Sequence, residues 1–134
     1  MDDSKTVKIF MDDIERLMVR FAKYCHAPSC ERYFFCPINH RECYKRLDLD
    51  TAIAWRIYKT LRKVYRIFEM DYPDFNDQKI NQLIGALDSL TNLSKAIYLN
   101  SYNYKYKSLT ALVEELNTLI YRFTHILSTY KIPL

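Results

Sequence analysis

The residues best suited to chemistry lie in one short stretch of this 134-residue chain. All four cysteines and two of the three histidines fall between Cys25 and Cys43. Thiolates and imidazoles are the ligands that zinc prefers, and a structural zinc site needs four of them. The stretch therefore predicts a structural zinc site. Its candidate ligands are the four cysteines, with the two histidines as alternates: Cys25, Cys30, Cys36, Cys43, His26 and His40.

The spacing of these residues leaves the chemistry of the site open. Four residues separate Cys25 from Cys30 and six separate Cys36 from Cys43, so the chain lacks the Cys-x-x-Cys pair of many zinc sites. His40 lies three residues before Cys43, and the two could meet on one helical turn. Two disulfides, unligated thiols and an iron–sulfur cluster are the alternatives to zinc.

The sequence carries no recognised catalytic motif. Glu31 and Glu42 could serve as the base of a catalytic zinc site, but no His-x-Glu followed by Pro-Cys-x-x-Cys accompanies them. A glycine-rich phosphate loop, Gly-x-Ser-x-Gly and His-Glu-x-x-His are all missing. His125 falls away from the apolar stripe of its predicted helix, so we expect it to face solvent. The expectation is a protein that is not an enzyme.

Four amphipathic helices are predicted to position the cysteine stretch. One glycine and four prolines provide few of the turns that short strands need, and apolar residues recur at helical spacings of three and four. The fourth helix carries the strongest repeat. The predicted helices run from about Ser4 to Tyr24, from the cap Asp50 to before Pro73, from after Asp74 or Asn76 to Ile97, and from the cap Ser108 to Tyr130.

These helices predict an all-α fold, an antiparallel four-helix bundle with an irregular Cys/His-rich insertion between helices 1 and 2. Short connections favour antiparallel neighbours. The chain is expected to form one domain, residues 1–134, with the insertion at 26–48. Because 49% of its residues are hydrophobic, the chain can bury a core without covalent staples. The cysteine site would therefore reinforce the fold locally.

The ends and apolar runs of the sequence predict a cytoplasmic protein without a membrane partner. The N-terminus is acidic where a signal peptide is basic, and no apolar run approaches the roughly 20 residues of a membrane span. A cytosolic location favours metal or free thiols over disulfides.

Positive charge is concentrated in the half of the chain that contains the cysteines. Between Arg16 and Arg66 there are twelve Lys or Arg against four acids, a local charge of +8, and the remainder has eight against twelve. Eight of the nine arginines lie in this part. Arginine forms forked contacts with phosphate, so the basic half predicts a nucleic-acid-binding surface.

The second helix shows how this charge is presented. A narrow apolar stripe runs from Ile53 to Phe68, and the only tryptophan, Trp55, falls about 200° from Ile53, amid the basic residues opposite the stripe. Burial against the bundle's own core does not account for a tryptophan there. It could stack on a base, anchor a protein contact, or lie under the cysteine loop on an ordinary solvated face. The predicted nucleic-acid contacts are Trp55, Arg56, Lys59, Arg62, Lys63 and Arg66.

A tyrosine-rich segment joins the third and fourth helices. Tyr102, Tyr104 and Tyr106 alternate with Asn or Lys, so an extended conformation would place the three rings on one side. Such rings could contact a protein partner or unpaired bases, and a loop folded on its own bundle is the alternative.

Residues 51–134 resemble the small four-helix-bundle family. The shared pattern is a helix with Tyr58, Leu61, Tyr65 and Ile67, then Pro73, a helix from Asp77 to Ile97, a tyrosine-bearing turn and a leucine-rich helix before Lys131-Ile132-Pro133. The family includes intervening-sequence proteins of bacterial 23S rRNA genes and accessory variability proteins of diversity-generating retroelements. The resemblance implies a homo-oligomeric ring that binds RNA or a reverse transcriptase, and it transfers no site residues.

The sequence as a whole predicts a small basic helical accessory protein that binds nucleic acid, RNA or single strands preferred, and that holds a structural Cys/His site. The alternative is a protein-interaction adaptor of a virus or mobile element. That adaptor would use the Trp55 face and the Tyr102–Tyr106 loop.

Overall fold

The computed structural model describes residues 3–25, 49–99 and 107–130. These residues form four α-helices and contain no strand, which confirms the predicted all-α class for this part of the chain. The predicted insertion, with its short turn near His40 to Cys43, lies outside the described residues. The helices are α1 (Asp3–Cys25), α2 (Leu49–Asp71), α3 (Asp77–Leu99) and α4 (Lys107–Ser128).

α2 and α3 begin and end close to the predicted positions. α2 ends at Asp71, before Pro73, because proline restricts the residue that precedes it. Of the two predicted starts of α3, Asn76 is confirmed, since its Oδ1 accepts a hydrogen bond of 2.8 Å from the backbone N–H of Lys79. α2 itself begins at Leu49, so Asp50 lies in its first turn and not at the predicted cap.

The fourth helix shows a similar one-residue difference at its start. It begins at Lys107, which places Ser108 in the first turn and not before it. The predicted stripe is buried along its length, and only Tyr130 at the end remains half-exposed. The buried residues are Leu109, Leu112, Leu116, Leu119, Phe123 and Ile126.

Buried side chains from all four helices form one hydrophobic core. The predicted stripe of α2 is buried throughout, whereas in α3 Ile80 and Ile84 are half-buried at the edge. Phe10 and Leu17 of α1 are fully buried and lie at the centre of its apolar face. Packing of all four apolar faces makes the molecule a helical bundle.

Consecutive helices are neighbours in this bundle, and α4 closes it by packing against α1. Contacts join opposite ends of neighbouring helices. Phe10, near the start of α1, meets Phe68, near the end of α2. Asp13 pairs with Arg122 and Arg20 pairs with Glu115, so later residues of α1 meet earlier residues of α4. Neighbouring helices therefore run in opposite directions.

An aromatic cluster fastens one end of the bundle. The ring of Phe68 lies 5.2 Å from that of Phe10 on α1, 6.2 Å from that of Phe123 on α4, and 5.0 Å from that of Phe75 in the α2–α3 connection. Phe75 lies 5.4 Å from Tyr130 at the end of α4. Edge-on and tilted arrangements at these distances are favourable for aromatic rings. Phe68 thus joins three elements to α2.

A buried carboxylate joins α1 to α4. Asp13 is 8% exposed, and its two oxygens accept from Arg16, at 3.1 Å, and from Arg122 of α4. Arg20 and Glu115 form a second ion pair between the same helices. The position of these acids near the start of α1 predicts only a favourable interaction with the helix dipole. Asp13 has a further role that no local pattern indicates, because its pairing depends on a residue 109 positions away.

Replacing Phe68 with alanine is expected to lower the free energy of unfolding by about 3–5 kcal/mol, because it opens a cavity where four rings meet. The matched control is Met70→Ala on the same helix. Met70 is 79% exposed, so its removal should change stability by less than about 0.5 kcal/mol. Urea unfolding of both variants measures the difference. Equal effects would contradict the assigned position of Phe68.

Replacing Asp13 with asparagine is expected to cost about 1–3 kcal/mol, because it weakens two hydrogen bonds to charged partners at a buried position. Asp12→Asn is the control, since Asp12 is the adjacent acid on the same helical turn and is exposed. Urea unfolding at neutral pH compares the two. A loss no larger in Asp13→Asn than in Asp12→Asn would show that the carboxylate does not join α1 to α4.

Candidate functional site

The predicted site residues fall into two groups. Cys25 is the last residue of α1, and the other candidate zinc ligands lie outside the described residues, as do Tyr102, Tyr104 and Tyr106. Within residues 3–25, 49–99 and 107–130, no three His, Cys, Asp or Glu lie close enough to hold a metal. The zinc site and the tyrosine surface therefore stay predictions. The basic residues of α2, by contrast, are all described.

The cations of α2 border a groove on the surface of the bundle. Arg56, Lys59, Lys63 and Arg66 are exposed and Arg62 is half-buried. Three of the five line a groove of about 420 Å³ between α2 and α3, whereas Arg62 and Arg66 do not. The residues that line the groove are Arg56, Lys59, Thr60, Lys63, Ser89, Asn92 and Leu93.

The two walls of the groove differ in charge. α2 supplies three cations and Thr60, whose hydroxyl donates 2.8 Å to the carbonyl of Arg56. α3 supplies Ser89, Asn92 and Leu93, none of which is charged. The sequence singled out the cations but not the α3 wall, because small polar residues on an amphipathic helix carry no distinctive pattern.

The α2 cations differ from the arginines elsewhere in the bundle. None of the five forms an ion pair with an acid in the part of the chain that the structure describes. Arg16 and Arg122 share Asp13, and Arg20 pairs with Glu115. The positive charge of α2 is thus not neutralised by the described acids, and a groove lined by one sign of charge attracts ions of the other.

Trp55 lies in a different environment from the one that the sequence predicts. Its side chain is half-buried and packs against the core, and its ring is stacked on that of Tyr58 at 5.8 Å with an angle of 25°. The Lys59 ammonium lies 5.9 Å from the centre of the indole. The expectation that the core cannot account for Trp55 is wrong, because a large ring on the flank of a helix can still reach the core.

Lys59 therefore has two contacts of different kind. It lines the groove, and it also makes a cation–π contact with the tryptophan. Such a contact restrains a flexible side chain without neutralising its charge. Trp55 thus restrains Lys59, which is one of the groove cations.

A second, smaller cavity lies at the C-terminal end of α4. It measures about 240 Å³ and brings His125 together with Thr6 and Val7 of α1 and Tyr72 and Pro73 of the α2–α3 connection. His125 is exposed, as its helix position predicts. Among the described residues that line this cavity, none is a carboxylate that could orient the imidazole ring.

A hydrogen bond joins α1 to α2 beside the basic face. The Tyr65 hydroxyl donates 2.7 Å to Oε1 of Glu15. This bond to a carboxylate, together with partial burial and the negative charges of Glu15, Glu69 and Asp12, raises the pKa of Tyr65 to about 12.

The raised pKa of Tyr65 predicts how this bond responds to alkali. Because the folded-state pKa lies above the ordinary value of about 10, the contribution of Tyr65 to stability is complete below pH 10. It is lost as the pH rises through about 12. NMR of protein labelled at tyrosine Cζ should show one resonance, missing in Tyr65→Phe, with a midpoint near 12. A midpoint near 10 for that resonance would show that the bond to Glu15 does not form.

None of the described helices is long and apolar enough to cross a membrane. Comparison of the chain with protein-family models, curated proteins and solved structures found no match. The resemblance of residues 51–134 to the small four-helix-bundle family stays a prediction.

Proposed function

We propose that the protein binds nucleic acid, RNA or single strands preferred, with the phosphates held by the cations of α2. The observation that most supports this proposal is the difference in ion pairing between the α2 cations and the arginines of the other helices. Arg20 and Arg122 form ion pairs between α1 and α4, and Arg16 pairs within α1. The five cations on α2, by contrast, have no acid partner among the described residues. Lys and Arg neutralise phosphates and release their counterions, which drives binding.

The length of the cation row suits a short run of phosphates. Arg66 lies ten positions after Arg56, a distance of about 15 Å along a helix that rises 1.5 Å per residue. A strand of nucleic acid carries one charge for about every 3.4 Å of duplex axis. The row could therefore contact a few successive phosphates, with Arg56, Lys59 and Lys63 inside the groove and Arg66 beyond it.

The alternative of an ordinary solvated face fits the charges less well. Lys59 and Lys63, and likewise Arg62 and Arg66, are four residues apart on the helix, where like charges destabilise by about 0.2–0.5 kcal/mol per pair. A face without a ligand would gain stability from acids at some of these positions. If the same face binds phosphates, it needs cations at these positions.

The cysteine segment and Trp55 retain supporting roles in this proposal. A structural zinc held by the predicted cysteines would fix the segment between Cys25, the end of α1, and Leu49, the start of α2. Trp55 keeps its proposed contact with a base, in addition to its contacts with Tyr58 and Lys59.

A protein-interaction adaptor is the second candidate. It is favoured by the end of α3, where Tyr98 and Leu99 are 69% and 71% exposed and lead into the tyrosine-rich segment. Tyr98 and Leu99 do not line the groove, so the two functions can be tested with separate substitutions.

Removing the groove cations is expected to weaken RNA binding. Arg56→Gln, Lys59→Gln and Lys63→Gln together should raise the Kd for a single-stranded RNA about tenfold or more at low salt. They should also lower the slope of log K against log salt by about 2, because about 0.7 is lost per phosphate contact. Fluorescence anisotropy of a labelled oligonucleotide measures both, and emission of the sole tryptophan reports groove occupancy through Lys59.

The control variant carries the same change of charge elsewhere. Lys5→Gln, Lys8→Gln and Lys95→Gln together remove three exposed lysines from α1 and α3 that do not line the groove. If both triple variants lose affinity equally, binding reflects net charge alone and the groove is not the site. Wild-type protein that binds neither RNA nor DNA, and co-purifies with one stoichiometric protein, would favour the adaptor.

A further inference from the structure

The α3 wall of the groove has hydrogen-bonding capacity that the bundle does not use. Ser89 and Asn92 are exposed, and their side chains form no hydrogen bond within the described residues. They are three positions apart, so both lie on the side of α3 that faces α2, with half-buried Leu93 beside them. Uncharged donors and acceptors thus lie directly across the groove from three cations.

Phosphates alone do not require this second wall. A phosphodiester is satisfied by cations, whereas hydroxyl and carboxamide groups complement the uncharged parts of a nucleotide, the base edge and the ribose. Asn92 carries one acceptor and two donors, which is the complement needed for the edge of a base. Leu93 offers an apolar contact next to them.

We propose that the groove holds one unpaired nucleotide of a single strand, oriented across its width. The phosphate of this nucleotide and those of its neighbours along the strand contact Arg56, Lys59 and Lys63, and its base edge and ribose contact Asn92 and Ser89. This inference rests on the proposed function and adds which part of the ligand meets which wall. A volume of about 420 Å³ lies within the usual range for small-ligand pockets, about 300–1,000 Å³.

The base must be unpaired for this arrangement. In a duplex the bases are stacked inside the helix and their Watson–Crick edges are used in pairing, whereas the unstacked bases of a single strand can be splayed out toward side chains. A duplex could still place its phosphates against the α2 wall, but it could not reach Asn92 with a base. Selectivity for single strands would therefore come from α3, while affinity comes from α2.

The test compares two asparagines of α3. Asn92→Ala should raise the Kd for a single-stranded RNA oligonucleotide roughly five- to tenfold by loss of a base contact. The salt slope should not change, because no cation is removed. Binding of an RNA hairpin stem should be unaffected. Asn81→Ala is the matched control, since Asn81 is exposed on the same helix and does not line the groove.

A competition experiment identifies the unit that is bound. Adenosine or uridine monophosphate should displace the labelled single strand at a lower concentration than inorganic phosphate does at the same ionic strength. Equal potency of phosphate and mononucleotide would overturn the inference, because it would show that the α3 wall adds nothing.

The variants separate failure of this inference from failure of the proposed function. If Asn92→Ala binds like Asn81→Ala while the triple cation variant is weakened, the orientation across the groove is wrong and phosphate binding remains. If Asn92→Ala weakens binding of the hairpin stem as much as binding of the single strand, the proposed contact between Asn92 and an unpaired base is wrong. Absence of any RNA or DNA binding by the wild-type protein overturns both.

Discussion

The rotation of α2 about its own axis is the constraint on which the groove depends. Its apolar stripe is buried from Ile53 to Phe68, and the Phe68 ring contacts rings from α1, α4 and the connection to α3. A rotation by one residue, about 100°, would pull this ring out of the core. Because the stripe fixes the rotation, Arg56 and Lys63 must lie on the α3 side. Core packing thereby decides where the charge points.

The bundle uses its charged residues in two different ways. Between α1 and α4, carboxylates and guanidinium groups lie opposite one another and hold the helices together, with Asp13 at the centre. Between α2 and α3, Lys79 and Asp71 approach to 4.0 Å near the connection, and the groove beyond has cations on one wall and neutral groups on the other. The seam between α1 and α4 is thus closed by charge pairing, whereas the groove between α2 and α3 has cations that pair with no acid among the described residues.

Much of the fold could be predicted from the sequence because it follows from local patterns. Apolar spacing located all four helices and the buried stripe of α2, and the cations opposite that stripe follow from the same period. Pairings across the bundle could not be predicted. Asp13 and Trp55 depend on which helix lies beside them, and the contribution of Ser89 and Asn92 depends on the α2 wall opposite. The Cys25 to Cys43 cluster, which dominates the sequence, remains a prediction.

The α2 cations that pair with no described acid would also couple the proposed anion binding to folding. Their mutual repulsion exists only when the helix is formed and packed, so it lowers the stability of the empty bundle, most strongly in dilute salt. An anion that occupies the groove relieves this repulsion in the folded state and does nothing comparable for the unfolded chain. By mass action such a ligand raises the melting temperature as its concentration increases. If the groove binds an anion as proposed, the thermal stability of this protein would therefore depend on the concentration of that ligand.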